Sequence, residues 1–358
     1  MEAETPGSPW KVVLRCGLMN LAAALLVLGS GEAFLRALPA DGGAAAPLPV
    51  GSHDPGARFR WFQVPLVAGN APEFDHWVTN NRYGFNGPDH PPRREPGKRR
   101  VAVLGDSFIE AFQVGRGETI GARLESALPG TEVLDFGEGA CSTTRQVGLL
   151  DRLPGLLRDD AGPDLPDVVV FQCHGRYSLL EAISEEVLRP ALWRRGLESA
   201  LYRVRVPSEI LARVRISVLR RLAEPREDLL LEADRFMERG FRSDVAEAGW
   251  AALERSIRNL ADRSRALRVR PVFAYLPGFD DLLEETAALD PGIPARRFRD
   301  MVGRAGADFV DLTGGFRRAL AAGERPLHFR EDRHLTPLGH EVAARGLAAA
   351  LRPMLEGR

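Results

Sequence analysis

The sequence predicts a three-layer α/β domain built on a five-stranded parallel sheet, with an N-terminal membrane anchor or signal segment ahead of it. Five short apolar runs, at 101–104, 132–136, 167–171, 271–275 and 308–312, have the length of buried strands. Segments with helical spacing of apolar residues, at 118–128, 143–158, 248–267, 293–304 and 337–352, lie between and after them. Strands alternating with helices imply right-handed crossovers and a parallel sheet covered on both faces. A net charge of only -1 over 358 residues gives no electrostatic reason to expect a nucleic-acid partner.

At the N-terminus, Lys11 and Arg15 precede an apolar stretch from 16 to 31, interrupted only by Asn20 and Ser30. Residues 1–36 therefore read as a signal-anchor or a cleavable signal segment, with a buried core helix as the plainer alternative. The basic flank orients the remaining chain to the outside, so the expected location is periplasmic or cell-surface, either anchored or secreted after cleavage. Residues 37–60 are rich in Ala, Gly and Pro and read as a linker. Residues 61–100 hold Trp61, Phe62, Phe74, Trp77, Tyr83 and Phe85, too many aromatics for a free tether, and are expected to pack on the main domain at 101–355.

One crossover is far too long. About a hundred residues separate the third strand from the fourth, where a dozen or more suffice. The insertion at 178–240 has apolar residues at helical spacing and many arginines, among them Arg194, Arg195, Arg203 and Arg205. It reads as a helical cap facing anionic lipid or an acidic glycan, or more plainly as a solvated arginine face over a local core.

The candidate chemistry starts at Gly105, Asp106 and Ser107, which follow the first strand of the sheet. This is where an open α/β sheet places its reactive groups, although Asp106 or Ser107 capping the next helix is the alternative use of the same residues. Near the C-terminus, Glu331, Asp332 and His334 share one tight turn, ahead of Thr336 and Pro337, which start the last helix. An acid on the imidazole Nδ1 leaves Nε2 free to accept a hydroxyl proton, so His334 is a candidate general base for Ser107. Cys16, Cys141 and Cys173 form neither a disulfide framework nor a metal site, although Cys141 and Cys173 follow strands and could pair. His53, His76, His90 and His328 lack ligand spacing, and His340 is expected to pack or cap. No cofactor and no metal are expected.

The GDS at 105–107, DFGEGACSTTRQ at 135–146 and EDRHLTPLGH at 331–340 resemble blocks I, II and V of the SGNH, or GDSL, hydrolase superfamily. VTNNRYGF at 78–85 is similar to a segment that precedes the domain in membrane-anchored bacterial members. The resemblance covers 101 to about 351, apart from the insertion, and implies a flavodoxin-like sheet with Ser107 as nucleophile and His334 as base. It implies three oxyanion donors: the Ser107 N–H, a block II glycine N–H and a block III asparagine. Here Ala140 takes the glycine position with Gly139 just before it, and no asparagine follows the third strand, leaving His174 or Arg176 as the third donor. Spacing favours Glu331 as the acid on His334, with Asp332 as the alternative.

The implied function is a serine esterase, removing acetyl or another short acyl group from an extracytoplasmic glycan or a small ester. An O-acyltransferase to a polysaccharide hydroxyl and a catalytically impaired binding module are the alternatives, the last motivated by the missing asparagine. The expected partners are an acylated substrate and the membrane.

Overall fold

The computed structural model describes residues 53–63, 71–139, 141–186, 244–282 and 290–357. The anchor or signal segment at 1–36, most of the linker and residues 187–240 of the insertion lie outside the described residues. Among the described residues, no helix is long and apolar enough to cross a membrane.

The chain begins with an antiparallel pair, β1 (Arg58–Phe62) and β2 (Asp75–Thr79), in which Phe59 is opposite Val78 and Trp61 opposite His76. The strand starts at Arg58, inside the stretch whose composition reads as linker. Phe59, Trp61, Phe74 and Val78 bury their side chains together with Phe112 of the main domain. The Phe59 and Phe112 rings meet edge to face at 5.1 Å. In the turn that follows, the Asn81 side chain accepts from the N–H groups of Tyr83 and Phe85, and Asn86 Nδ2 donates to Ala111 O at 2.8 Å. The extension is thus fastened beside the segment that carries Ser107. At the other end of the sheet, the fully buried Arg100 pairs with Glu132 and donates to Pro91 O, which ties down the Pro-rich stretch before the domain. Removing one partner of such a pair would leave an uncompensated buried charge.

The main sheet has β3 (Arg99–Gly105), β4 (Thr131–Gly137), β5 (Val168–Cys173), β6 (Arg270–Tyr275) and β7 (Asp308–Asp311), all parallel, in the order β4-β3-β5-β6-β7. In strand order this is 2-1-3-4-5, the flavodoxin-like arrangement, whose crevice lies at the carboxyl ends where the winding reverses. All five expected strands are present, each within two residues of its expected bounds.

The helices are α1 (Ser107–Glu110), α2 (Ile120–Ala127), α3 (Gln146–Leu156), α4 (Gly175–Glu186), α5 (Asp244–Ala266), α6 (Ile293–Arg304), α7 (Thr313–Ala321) and α8 (Pro337–Glu356). Strand side chains alternate between two cores, as a period of two requires. Ala102, Leu104, Val169 and Phe171 face Leu150 of α3, Ile183 of α4, Leu253 of α5 and Phe298 of α6. Val101, Val103, Val168 and Val170 face Leu124 of α2, Phe316 of α7 and Leu347 of α8. Each of these valine, leucine, isoleucine and phenylalanine side chains contributes about 1.5–3 kcal/mol on burial. Sequence periodicity locates α2, α3, α5, α6 and α8, but not α1 or α7. Helix α4 overlaps the start of the stretch read as insertion, so the departure from the sheet begins as an ordinary packed helix.

Close approach fixes two glycines at the site. A Cβ on Gly137 would lie 1.9 Å from the Glu110 backbone nitrogen, and one on Gly105 would lie 2.4 Å from Ile109. Helix α1 can sit across the ends of β3 and β4 only because both positions lack side chains.

Candidate active site

Ser107 is the first residue of α1, at the carboxyl end of β3. Asp106 caps that helix, its side chain accepting from Phe108 N at 2.9 Å. The capping role therefore falls to Asp106 and leaves the Ser107 hydroxyl for another partner. That partner is His334, whose Nε2 lies 2.8 Å from Ser107 Oγ.

Gln172, the penultimate residue of β5, holds Asp106 from the far side. Its Oε1 accepts from the Asp106 N–H at 3.0 Å, and its Nε2 donates to Asp106 Oδ2 at 3.3 Å. Gln146 in turn donates to Gln172 O at 2.7 Å. Burial pushes the Asp106 carboxyl above its usual range, against the Phe108 N–H and the Gln172 amide, which favour the anion.

His334 sits on a loop closed at its base by the Phe329 N–H donating to His334 O at 2.8 Å and by a bridge between His328 and Leu335. Thr336 caps α8 by accepting from Gly339 N, and Pro337 occupies the first turn. The acid on the imidazole is Asp332, with Oδ1 at 2.6 Å from His334 Nδ1. This corrects the preference for Glu331. Arg333 has φ 71, a left-handed conformation that folds the chain back between Asp332 and His334. That turn brings a carboxylate only two residues away onto Nδ1, while Glu331 Oε2 instead accepts from Gln63 Nε2 at 3.1 Å. Since an ionised carboxylate only accepts, Nδ1 donates and Nε2 is the acceptor facing Ser107. Burial lowers the His334 pKa, but the hydrogen bond and charge of Asp332, helped by Asp106 and Glu110, outweigh it and leave the pKa raised above 6.5.

The candidate oxyanion donors divide. Ser107 opens α1, so its N–H has no acceptor within the helix. The N–H of Gly139, the candidate donor beside Ala140, instead donates to Glu110 Oε1 at 3.1 Å. Burial pushes Glu110 up to about 7 against that bond, and His53 Nε2 lies 3.5 Å from the same carboxylate. Ala140 lies outside the described residues. Arg176 contributes backbone to α4, and its side chain is outside the description. His174 is buried at the end of β5, packed against Phe108 with 4.3 Å between ring centroids and stacked on Tyr177 at 4.8 Å. Its Nδ1 is 3.8 Å from Asp106 Oδ2.

Ser107, His334, Asp332 and His174 line one cavity of about 430 Å³, shared with Tyr177, Phe279 and Arg333. Tyr177 and Phe279 are each 43% exposed, Tyr177 with one face stacked on His174. The Arg333 guanidinium stands over the Phe279 ring at 4.3 Å. Cys141 and Cys173 are free and buried, and burial pushes both thiols up, so neither supplies a thiolate. Sequence reading missed Gln172, Glu110 and Phe108. Only Gln172 had a signal, a polar side chain ending an otherwise apolar strand.

Residues 241–357 match the family of the SGNH hydrolase-like domain of the acetyltransferase AlgX. No curated protein matches the sequence. Among solved structures, an alpha/beta hydrolase from the metagenome of Lake Arreo, Spain, is 17% identical with a TM-score of 0.41, covering 70% of this chain and 94% of its own. A lipolytic protein of the G-D-S-L family from Desulfitobacterium hafniense is 14% identical with a TM-score of 0.39, covering 71% and 100%. The acetylxylan esterase Axe2 from Geobacillus stearothermophilus is 15% identical with a TM-score of 0.40, covering 72% and 95%. The matched segment supplies Asp332, His334 and α8, and the sheet brings Ser107 to them from the other end of the domain: over residues 241–357 the chain is similar to an SGNH hydrolase-like domain.

Proposed function

We propose that the chain removes acetyl or another short acyl group from an extracytoplasmic glycan or a small ester through an acyl-Ser107 intermediate. The observation that carries this reading is the relay from Ser107 Oγ to His334 Nε2, 2.8 Å, and from His334 Nδ1 to Asp332 Oδ1, 2.6 Å. Ser107 Oγ attacks the ester carbonyl while Nε2 takes its proton, and Asp332 stabilises the imidazolium. The tetrahedral oxyanion faces the Ser107 N–H and the His174 side chain, which takes the place of the missing asparagine. Collapse breaks the carbon–oxygen bond to the alcohol, which leaves with the proton from Nε2. Water then attacks the acyl-serine, giving its proton to Nε2, and the carboxylic acid departs as Ser107 regains its proton.

The exposed parts of Tyr177 and Phe279 offer aromatic carbon on which the C–H face of a sugar ring packs, beside a cavity large enough for a short acyl group. The N-terminal segment would hold this domain at the outer face of a membrane, or direct its secretion.

A second reading, transfer of the acyl group to a polysaccharide hydroxyl, is favoured by the matched family's description as an acetyltransferase domain. Hydrolysis of an activated acetyl ester, with and without a carbohydrate acceptor, separates the two. Release of acetate without acceptor supports the esterase, and product formed only with acceptor supports the transferase. The aligned relay argues against a binding module. Fluorophosphonate labelling that is lost in Ser107→Ala and in His334→Ala is the outcome expected of an enzyme, and folded wild type that fails to label refutes one.

A further inference from the structure

The loop that carries Asp332 and His334 is held from outside the α/β domain by one carboxylate. Glu73, just ahead of β2, accepts from three consecutive backbone N–H groups. Oε1 takes Arg330 N at 2.6 Å and Glu331 N at 3.1 Å, and Oε2 takes Glu331 N at 3.0 Å and Asp332 N at 3.0 Å. Successive N–H groups converging on one anion form a nest, which fixes the direction of each peptide plane. Asp332 is both the last residue of that nest and the acid on His334.

Glu73 is itself fixed. Its N–H donates to Gln63 Oε1 at 2.7 Å, and Gln63 Nε2 donates to Glu73 Oε2 at 3.2 Å and to Glu331 Oε2 at 3.1 Å. Beside it, the Phe74 ring packs on Phe329 at 5.3 Å. The antiparallel pair therefore presents a carboxylate to the loop's backbone and a ring to its apolar side. The bond from Nδ1 to Asp332 depends on the orientation of a side chain whose backbone is anchored by a residue about 260 positions earlier.

We propose that Glu73 is a positioning residue for the Asp332–His334 pair, so that the N-terminal extension completes the active site. This rests on the reading of Ser107, His334 and Asp332 as the catalytic relay. Two variants of the full chain test it. Glu73→Gln keeps the size but turns donors toward N–H groups, and Glu73→Asp keeps the charge on a shorter arm. Hydrogen exchange reads the nest whether or not the protein is active, so the amides of 330–332 should exchange at least about tenfold faster in Glu73→Gln. Unchanged protection overturns the nest itself.

For the role in catalysis, kcat on an activated acetyl ester should fall about 10- to 100-fold in Glu73→Gln, well below thermal unfolding, with KM changed far less. The acid limb of its pH profile should move down toward that of Asp332→Asn, and Glu73→Asp should recover part of the loss. Combining Glu73→Gln with Asp332→Asn should cost little beyond Asp332→Asn alone. A lowered melting temperature with wild-type kcat and acid limb, or full additivity in the double variant, overturns the positioning role. Loss of the Ser107 function reading appears separately, as wild type that neither labels nor turns over.

Discussion

Asp332 Oδ1 and His334 Nδ1 are 2.6 Å apart although only one residue separates them in the chain. An extended chain would send both side chains to the same edge without turning one onto the other. The left-handed Arg333 between them supplies that turn. Asp332→Asn should therefore reduce kcat on the order of 10³- to 10⁴-fold, because an amide in place of the acceptor favours the wrong tautomer. Glu331→Gln removes no contact with the imidazole and should leave kcat unchanged, at a cost in stability of at most about 1 kcal/mol. Steady-state kinetics on the two variants checks the assignment, and the reverse ranking would restore Glu331.

The same pair sets the pH dependence. His334 must be neutral to take the serine proton, and its pKa is raised above 6.5 because Asp332, with Asp106 and Glu110, outweighs burial. Protonated enzyme is inactive, so kcat/KM should rise with pH along a limb centred above 6.5. In Asp332→Asn the largest raising influence is gone while burial remains, and the limb should move to lower pH. A profile between pH 5 and 9 measures both.

The parts of this site legible in sequence are those fixed by local chemistry. Val101 to Leu104 is apolar because β3 is buried on both faces, and the turn at Gly105 follows from strand geometry, so the sequence itself places Ser107 at the strand's end. His334 was legible for the same reason, as it precedes the Thr336 cap and Pro337. Glu331 was preferred over Asp332 because spacing carries no information about φ at Arg333. Helix α7 was missed because Gly314 and Gly315 open it, and glycine weakens a helical pattern by about 1 kcal/mol each. The contacts of Gly139 with Glu110 and of Glu73 with 330–332 join segments far apart in sequence, and no local pattern records them.

His174 tests how the oxyanion is held without an asparagine. It is buried, lines the cavity with Ser107, meets Phe108 edge to face and stacks on Tyr177. If its ring supplies the third donor, His174→Ala should lower kcat about 10²- to 10³-fold. Slow fluorophosphonate labelling of Ser107 should persist, because Ser107 and His334 are untouched. His174→Asn should recover part of the rate. Wild-type kcat in His174→Ala would exclude the ring as a donor.

Asp135 gives a prediction on stability that is independent of catalysis. It lies on β4 with 1% exposure, and its Oδ2 accepts from Thr119 Oγ1 at 2.9 Å and from Gly121 N at 3.1 Å. Burial pushes its pKa up to about 7, against those two bonds. The folded state therefore holds a proton that the unfolded chain releases near pH 4. Between those values the native state binds more protons than the unfolded one, so this group's contribution to stability falls as pH rises, by at most about 1.4 kcal/mol per unit. Glu110, also pushed up to about 7 by burial, acts in the same direction. Asp135→Asn keeps an oxygen for Thr119 and Gly121 but cannot ionise. Any packing cost of the amide is the same at every pH, so it offsets the comparison without changing its slope. The stability of the variant relative to wild type should accordingly rise from pH 4 to pH 7 and then level off, as read from urea unfolding at several pH values. A difference independent of pH would show that Asp135 is ionised in the folded protein throughout, with the Thr119 and Gly121 donors sufficient to hold its charge against burial.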